Sequence, residues 1–422
     1  MKNVDELEIW LDADIVSEPI CVGFMHHSRG VVRFEYSPGW LLHPARFALD
    51  PDLSLDSGNF YPDASLSNFR IFDDSAPDRW GQTLIQRREA IASRDEGRRP
   101  RNLYAWDYFL GVQDFTRQGA IRVCPKDKHA DSFKAKNFLD DHPLSAPPLT
   151  KLRELEAISC ALSSKDFKDT DQLKKWLSVL VAPGASLGGA RPKANFTDEV
   201  GQLWIAKFPA KDDVVDVGAW EALAYQLALD VGINVGPMRL MKLSPKHKTF
   251  CVQRFDRFYD GKKIRRRFYA SAMAMLRKDS SEESSYLDLA EFIRQQGASR
   301  HVQIDLEQLF RRVLFNIAIG NRDDHLRNHG FLLSSIGWRL APAFDMNPNL
   351  DKAEHVLNID LYDNQPSISN ALATAAWYDL SNQAAQRIAD EVIAGVSRWQ
   401  EKAAVKGCRA AEIAMYRGAF IT

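Results

Sequence analysis

A chain of 422 residues with 45 % hydrophobic, 10 % aromatic and 26 % charged side chains has ordinary globular composition, which excludes disorder, collagen-like repeats and coiled-coil rods. Lys and Arg number 55 against 56 Asp and Glu, a net charge of -1, so no global field draws the chain to nucleic acid or acidic lipid. Five cysteines without CxxC spacing read as reduced, mostly packed thiols of a cytoplasmic protein, as does a start lacking the basic and apolar regions of a signal peptide.

Along the chain, Val31 to Tyr36 alternates toward a turn at Pro38-Gly39, and Ile121 to Cys124 is a second short strand. Between them Asp78-Arg79-Trp80-Gly81 leads into a helix through Thr83–Arg88. Residues 1–125 form a mixed β-rich subdomain, and the polar, Pro-rich stretch 126–150 is a linker. Amphipathic helices are expected over Lys151–Leu162 and Asp171–Leu180, then a glycine-rich element, Gly184 to Lys193. A β-hairpin follows, Ala194–Phe196 and Leu203–Phe208, then a helix near Ala219–Leu229 and a strand Cys251–Phe255. The chain is mostly helical from there. Leu306, Leu309, Phe310, Val313, Leu314 and Ile317 make one buried helical stripe. Val313 to Ile319, the most apolar run, is interrupted by Asn316 and too short to span a bilayer. A last helix is capped by Ser381 and repeats through Ile388, Val392, Val396 and Trp399 toward Gly407.

The sharpest chemical signal is Asn321-Arg322-Asp323-Asp324-His325-Leu326-Arg327-Asn328, just past the buried stripe. Asp323 and Asn328 have the Asp-x4-Asn spacing of a protein-kinase catalytic loop. There, one carboxylate takes the proton of the attacking hydroxyl and one amide oxygen holds Mg2+ beside the transferring phosphate. A second metal carboxylate is needed, and Asp345 follows after a hairpin through Phe331–Leu333 and Trp338–Leu340. Taken alone, the motif fits a solvated polar loop equally well. Upstream, Lys207 ends an apolar strand where a lysine can pair with nucleotide phosphates. Glu221, opening the next helix, can hold it or can simply suit a helix N-terminus. Gly188-Gly189 lets backbone amides approach phosphate oxygens, though a plain turn would look the same. Glycine loop, strand lysine, helix glutamate, Asp-x4-Asn and metal aspartate in one order point to ATP- and Mg2+-dependent phosphoryl transfer.

These segments, Ser186 to Lys193, Ile205-Ala206-Lys207-Phe208-Pro209, Val252 to Arg257, Asn321 to Asn328 and Pro342-Ala343-Phe344-Asp345, resemble the HipA family of toxin kinases. Weaker likeness extends to Asp78–Gly81. The resemblance implies an α+β, protein-kinase-like two-lobed fold with an extra N-terminal mixed α/β subdomain. The strand-rich lobe would span 151–255 and the helical lobe 256–422. It implies a serine/threonine kinase acting on a protein, with an aminoacyl-tRNA synthetase as the target class, and a DNA-binding, HipB-like antitoxin partner that makes any DNA contact indirect. By position, Asp323 would be the catalytic residue, and Asn328 and Asp345 the Mg2+ ligands. Gly188, Gly189, Ala190, Lys193, Lys207, Gln253, Phe255, His325 and Arg327 would line the ATP, and Ser186 would be autophosphorylated. Arg327 stands where the family carries Lys, and Phe268-Tyr269-Ala270-Ser271-Ala272 replaces a polar segment on the substrate side.

Two non-toxin readings remain at this stage: a nucleotide-binding corepressor, which would not need a base at Asp323, and a small-molecule kinase, which shares the Asp/Asn/Asp chemistry. The basic runs Arg98–Arg101 and Lys262–Arg267 are expected to be solvated loops or a nucleic-acid contact. His26, His27 and His329, without partners at metal-ligand spacing, are expected to be structural.

Overall fold

The computed structural model describes residues 4–127, 133, 136–139, 146–163, 191–261 and 263–421. The chain divides into two compact units, Met1–Ala206 with Asp256–Ala270, and Lys207–Phe255 with Ser271–Thr422.

In the first unit, β1 (Glu6–Leu11), β2 (Ile20–Ser28), β3 (Val31–Tyr36) and β4 (Ile121–Pro125) form an antiparallel sheet of order β3-β2-β1-β4. Alternation puts Val32, Phe34 and Tyr36 of β3 inside, where Phe34 meets the rings of Tyr36 and Phe72 at 5.0 and 5.7 Å. Helix α1 (Arg79–Asp95) starts at Asp78, whose carboxylate caps the Gly81 amide at 2.9 Å. The expected turn at Pro38-Gly39 is instead a short helix, Pro38–Leu41, because Ser37 caps it and proline occupies its first position. Helix α2 (Leu152–Ser163) and strands β5 (Lys193–Thr197) and β6 (Leu203–Lys207) follow. The unit boundary falls inside β6, between Ala206 and Lys207. Within the stretch read as a linker, Lys136 bonds Glu8 at 2.9 Å and Phe138 is buried.

Several arginines of the basic runs are committed internally, while Arg99 and Lys263 are exposed and Lys262 lies outside the described residues. Arg98 bonds Glu89 at 2.5 Å, and the same carboxylate accepts the Arg101 amide at 3.0 Å. Buried Arg266 donates to the Asp114 carbonyl at 3.0 Å, and Arg265 reaches the carbonyls of Ala13 and Val16. Residues past 255 are therefore not simply helical. A two-stranded ribbon, Arg257–Tyr259 with Ile264–Arg266, is tied into this unit by the Arg266–Asp114 ion pair and by arginine hydrogen bonds to backbone carbonyls more than a hundred positions away.

In the second unit, α3 (Val217–Asp230) is capped by Asp216, and β7 (Met238–Met241) pairs antiparallel with β8 (Thr249–Gln253). Helix α4 (Tyr286–Gln296) precedes α5 (Val302–Ile319), whose expected stripe is fully buried. The hairpin of β9 (Gly330–Ser334) and β10 (Gly337–Leu340) comes next. The final helix is broken in two. Ser381 caps α6 (Asn382–Val396) as expected, but the chain bends at Ser397-Arg398 before α7 (Trp399–Val405), and α8 (Ala410–Tyr416) follows. After the bend Trp399 lies flat on Phe420, 4.0 Å between centroids and 6° between planes. A straight helix would have carried the Val396 stripe onward instead.

Candidate active site

Lys207 is the last residue of an almost wholly apolar strand, which delivers its ammonium to a buried position. Its Nζ lies 2.5 Å from Glu221 Oε1, on the second turn of α3, and 2.7 Å from Asp345 Oδ1. Burial disfavours this ammonium, but Asp345 and Glu221 outweigh burial and raise its pKa above the ordinary lysine value. The lysine thus holds two carboxylates that would otherwise repel one another. Tyr225, one turn beyond Glu221, is buried beside them, and burial raises its hydroxyl pKa. Asp345 has φ of +58°, a conformation aspartate tolerates better than most side chains, and it follows Phe344, which contacts Phe255 at 5.6 Å.

The segment 321–328 leaves α5 through Gly320, a left-handed C-cap. Asp323 projects outward and pairs with Lys352, whose backbone carbonyl also accepts from Arg322 at 2.7 Å. Asn328 is buried. Its amide nitrogen reaches the Asp323 carbonyl at 3.4 Å, while its Oδ1 accepts no hydrogen bond. A buried amide oxygen without a donor is costly unless something else meets it, and a hard cation suits an oxygen ligand. His325 Nδ1 is likewise buried without a partner, and Arg327 is exposed.

Asp324 lies wholly inside. It accepts from Tyr286 at 2.6 Å, His329 at 2.7 Å and Asn316 at 2.8 Å. Burial would raise its pKa, but His329 and Tyr286 outweigh that and the carboxyl sits below its usual range. This network clamps the loop from α4, α5 and the start of β9, and it gives His329 its structural role. Sequence reading passed over Asp324 and Lys352. The only local signal was Asn316, a polar residue interrupting an apolar helix.

Other expected residues fall as follows. Lys193 belongs to the first unit, where its ammonium is buried on Asp78 and its carbonyl accepts from Trp80 Nε1 at 3.0 Å. Asp78–Gly81 therefore anchors the strand that ends the glycine-rich element. Gln253 hydrogen-bonds Pro237 through its backbone, at 2.9 Å. Ser186, Gly188, Gly189 and Ala190, and the expected helix 171–180, lie outside the described residues. Among the described residues, no group of three or more His, Cys, Asp or Glu could hold a metal, and no helix is long and apolar enough to cross a membrane.

A strand lysine bridged to a helix glutamate, an Asp-x4-Asn loop after a buried helix and a following aspartate define the protein-kinase-like class. Residues 185–400 match the HipA-like C-terminal domain and residues 13–99 the HipA N-terminal domain, so the chain belongs to the HipA-like family. It is 23 % identical over 412 residues to the Sinorhizobium fredii protein named "Putative kinase Y4mE", covering 92 % of this chain and 82 % of that one. It is 27 % identical over 181 residues to a Haemophilus influenzae "Putative kinase", covering 38 % of this chain and 52 % of that one. Its fold is shared with a chain of the Shewanella oneidensis toxin–antitoxin complex of HipA, HipB and operator DNA, at a TM-score of 0.64 and 15 % identity over 98 % of this chain and 94 % of the other. The fold is α+β and protein-kinase-like, with an additional N-terminal mixed unit, and the family is that of HipA-type kinases.

Proposed function

We propose that this chain is an ATP- and Mg2+-dependent serine/threonine protein kinase of HipA toxin type, with Asp323 as its catalytic residue. The observation that carries the reading is Lys207 held between Glu221 and Asp345, together with a buried Asn328 oxygen that lacks a donor. A ligand-binding lysine needs such a holder, and a hydrolytic or purely structural site has no use for the full set.

Asn328 and Asp345 would hold Mg2+, and bound Mg-ATP would supply the transferable phosphoryl group. Lys207, kept in place by Glu221, would orient the phosphates. Gln253 and Phe255 would border the base, and His325 and Arg327 would add donors around the phosphates. Asp323, exposed toward solvent, would orient the incoming hydroxyl and accept its proton; Lys352 would keep that carboxylate aimed. Gly188, Gly189 and Ala190 would cover the nucleotide, and phosphate on Ser186 would oppose ATP by like charge. Family membership and the Shewanella complex of HipA, HipB and operator DNA support a DNA-binding antitoxin as partner; the proposed target class is an aminoacyl-tRNA synthetase, and the proposed site of action is the cytoplasm.

The test is radiolabelled ATP with the purified chain, alone and with cell lysate. Asp323→Asn should lower transfer by about two to four decades while leaving thermal stability and Mg-ATP binding in place. Near-wild-type turnover by that variant would remove Asp323 from the mechanism. Mass spectrometry of the same incubation tells whether Ser186 gains phosphate.

A further inference from the structure

Away from Lys207 and Asp323, the second unit contains a cavity of about 270 Å³ between the start of α3, the turn joining β7 to β8, and the segment between α7 and α8. Its walls carry Lys242, Lys246, Lys248, Arg409 and His247 against only two carboxylates, Asp216 and Glu412.

Both carboxylates are already neutralised. Asp216 takes the Lys248 ammonium and the Lys248 amide at 3.0 Å each, besides capping the Ala219 amide at 3.2 Å. Glu412 takes Arg409 at 2.7 Å. The helix end is therefore occupied by its own aspartate and adds nothing to the case. What is left over is cationic. Lys246 reaches only the Asp213 carbonyl, at 3.2 Å, and Lys242 has no hydrogen-bond or ion-pair partner among the described residues. His247, buried at the floor, is turned onto the same Asp213 carbonyl at 3.1 Å.

The wall is also shaped to stay open. Gly407 has φ of +82°, and a Cβ there would stand 3.0 Å from Lys248 Nζ. Glycine at that point lets the ammonium sit at the cavity wall while it remains paired with Asp216. Two lysines without a carboxylate partner thus line one concave space beside two paired cations, an excess of positive charge that an anion would balance.

We propose that this cavity binds a small phosphate-bearing anion of about the size of pyrophosphate, with Lys242 and Lys246 as its principal contacts and Lys248 and Arg409 at its edge. The volume is below that of ordinary drug-sized pockets, which favours a diphosphate-sized group over a nucleoside. The inference does not depend on the kinase reading.

The experiment is calorimetric titration of inorganic pyrophosphate into the full chain without Mg2+, repeated with a non-hydrolysable ATP analogue and Mg2+ saturating the nucleotide site. The double variant Lys242→Glu/Lys246→Glu changes two exposed side chains, and its circular dichroism and melting temperature verify folding. One-site binding that persists with the analogue and weakens at least about ten-fold in the double variant is the expected result. Binding that the analogue abolishes, or that the double variant retains, overturns the proposal. If the analogue itself does not bind, the kinase reading suffers, while the double variant still decides this site.

Discussion

At the scale of single residues, adjacent aspartates are expected to behave oppositely. Asp323 is exposed and its pairing with Lys352 is a surface one, so Asp323→Asn should change unfolding free energy by no more than about 0.5 kcal/mol. Asp324→Ala would strand the donors of Tyr286, Asn316 and His329 inside the protein. The loss should be about 3 kcal/mol or more, read from urea denaturation of the two variants; equal stabilities would mean the buried network is not formed. His355 gives a second, pH-dependent test. Burial depresses its pKa to about 4, with Arg322 acting the same way and Asp324 opposing. A histidine whose folded pKa lies below its unfolded value of about 6.5 contributes full stability above that value and loses it as pH falls toward 4, because only the unfolded chain takes up the proton. Between pH 7 and pH 5 this amounts to about 2 kcal/mol. His355→Leu should flatten that part of the pH–stability curve, and an unchanged slope in denaturation at the two pH values would show that the ring does not stay neutral inside. These features also mark where sequence reading ends. Lys207, Glu221 and Asp345 stand out because each is a polar residue next to an apolar run, and Asp323 and Asn328 because of their Asp-x4-Asn spacing. Asp324 and His355 look like loop residues, and only the folding of distant elements onto them makes them interior.

At the scale of elements, hydrophobic periodicity located β3, β4, α3, α5, the β9–β10 hairpin and the start of α6, since each buries a face that its own spacing defines. It missed what long-range partners decide. The ribbon of residues 257–266 has short strands held by buried arginines, and the bend after α6 exists to lay Trp399 on Phe420. That aromatic contact belongs to a larger strut. Tyr416 of α8 stacks on Trp220 of α3 at 4.0 Å, and the Ile421 amide donates to the Ala318 carbonyl at 2.8 Å, at the end of α5. The strut thus touches both the helix that carries Glu221 and the helix that launches the 321–328 loop. Gly320 is its tightest point, with φ of +67° and an Ala419 carbonyl oxygen 2.4 Å from where a Cβ would stand. Gly320→Ala should therefore cost the left-handed penalty of about 1–2 kcal/mol plus the displacement of the strut. Its melting temperature should fall by several degrees, whereas Gly418→Ala, which meets nothing within 4 Å, should melt like the parent. Two identical melting curves would show that the strut yields freely.

At the scale of the whole molecule, the question is whether DNA is touched directly or through a partner. The chain carries a net charge of -1, so any intrinsic affinity for a duplex must come from local patches. Much of the positive charge of the two best candidates by sequence is committed internally. Arg98 and Arg101 share Glu89, which Arg98 holds well below the usual carboxylate range, at a pKa of about 2. Arg266 is buried against Asp114, and Arg265 is turned onto the carbonyls of Ala13 and Val16. Guanidinium groups spent in this way are not available to displace counterions from phosphates. Fluorescence anisotropy of a labelled mixed-sequence duplex should therefore show no saturable binding by the chain alone, at low or at physiological salt. Reconstitution with a DNA-binding antitoxin should bring the chain onto operator DNA with the salt dependence of that partner. Saturable binding by the isolated chain, falling steeply with salt as several phosphate contacts would require, would instead place a basic surface of this chain on the duplex and end the indirect reading.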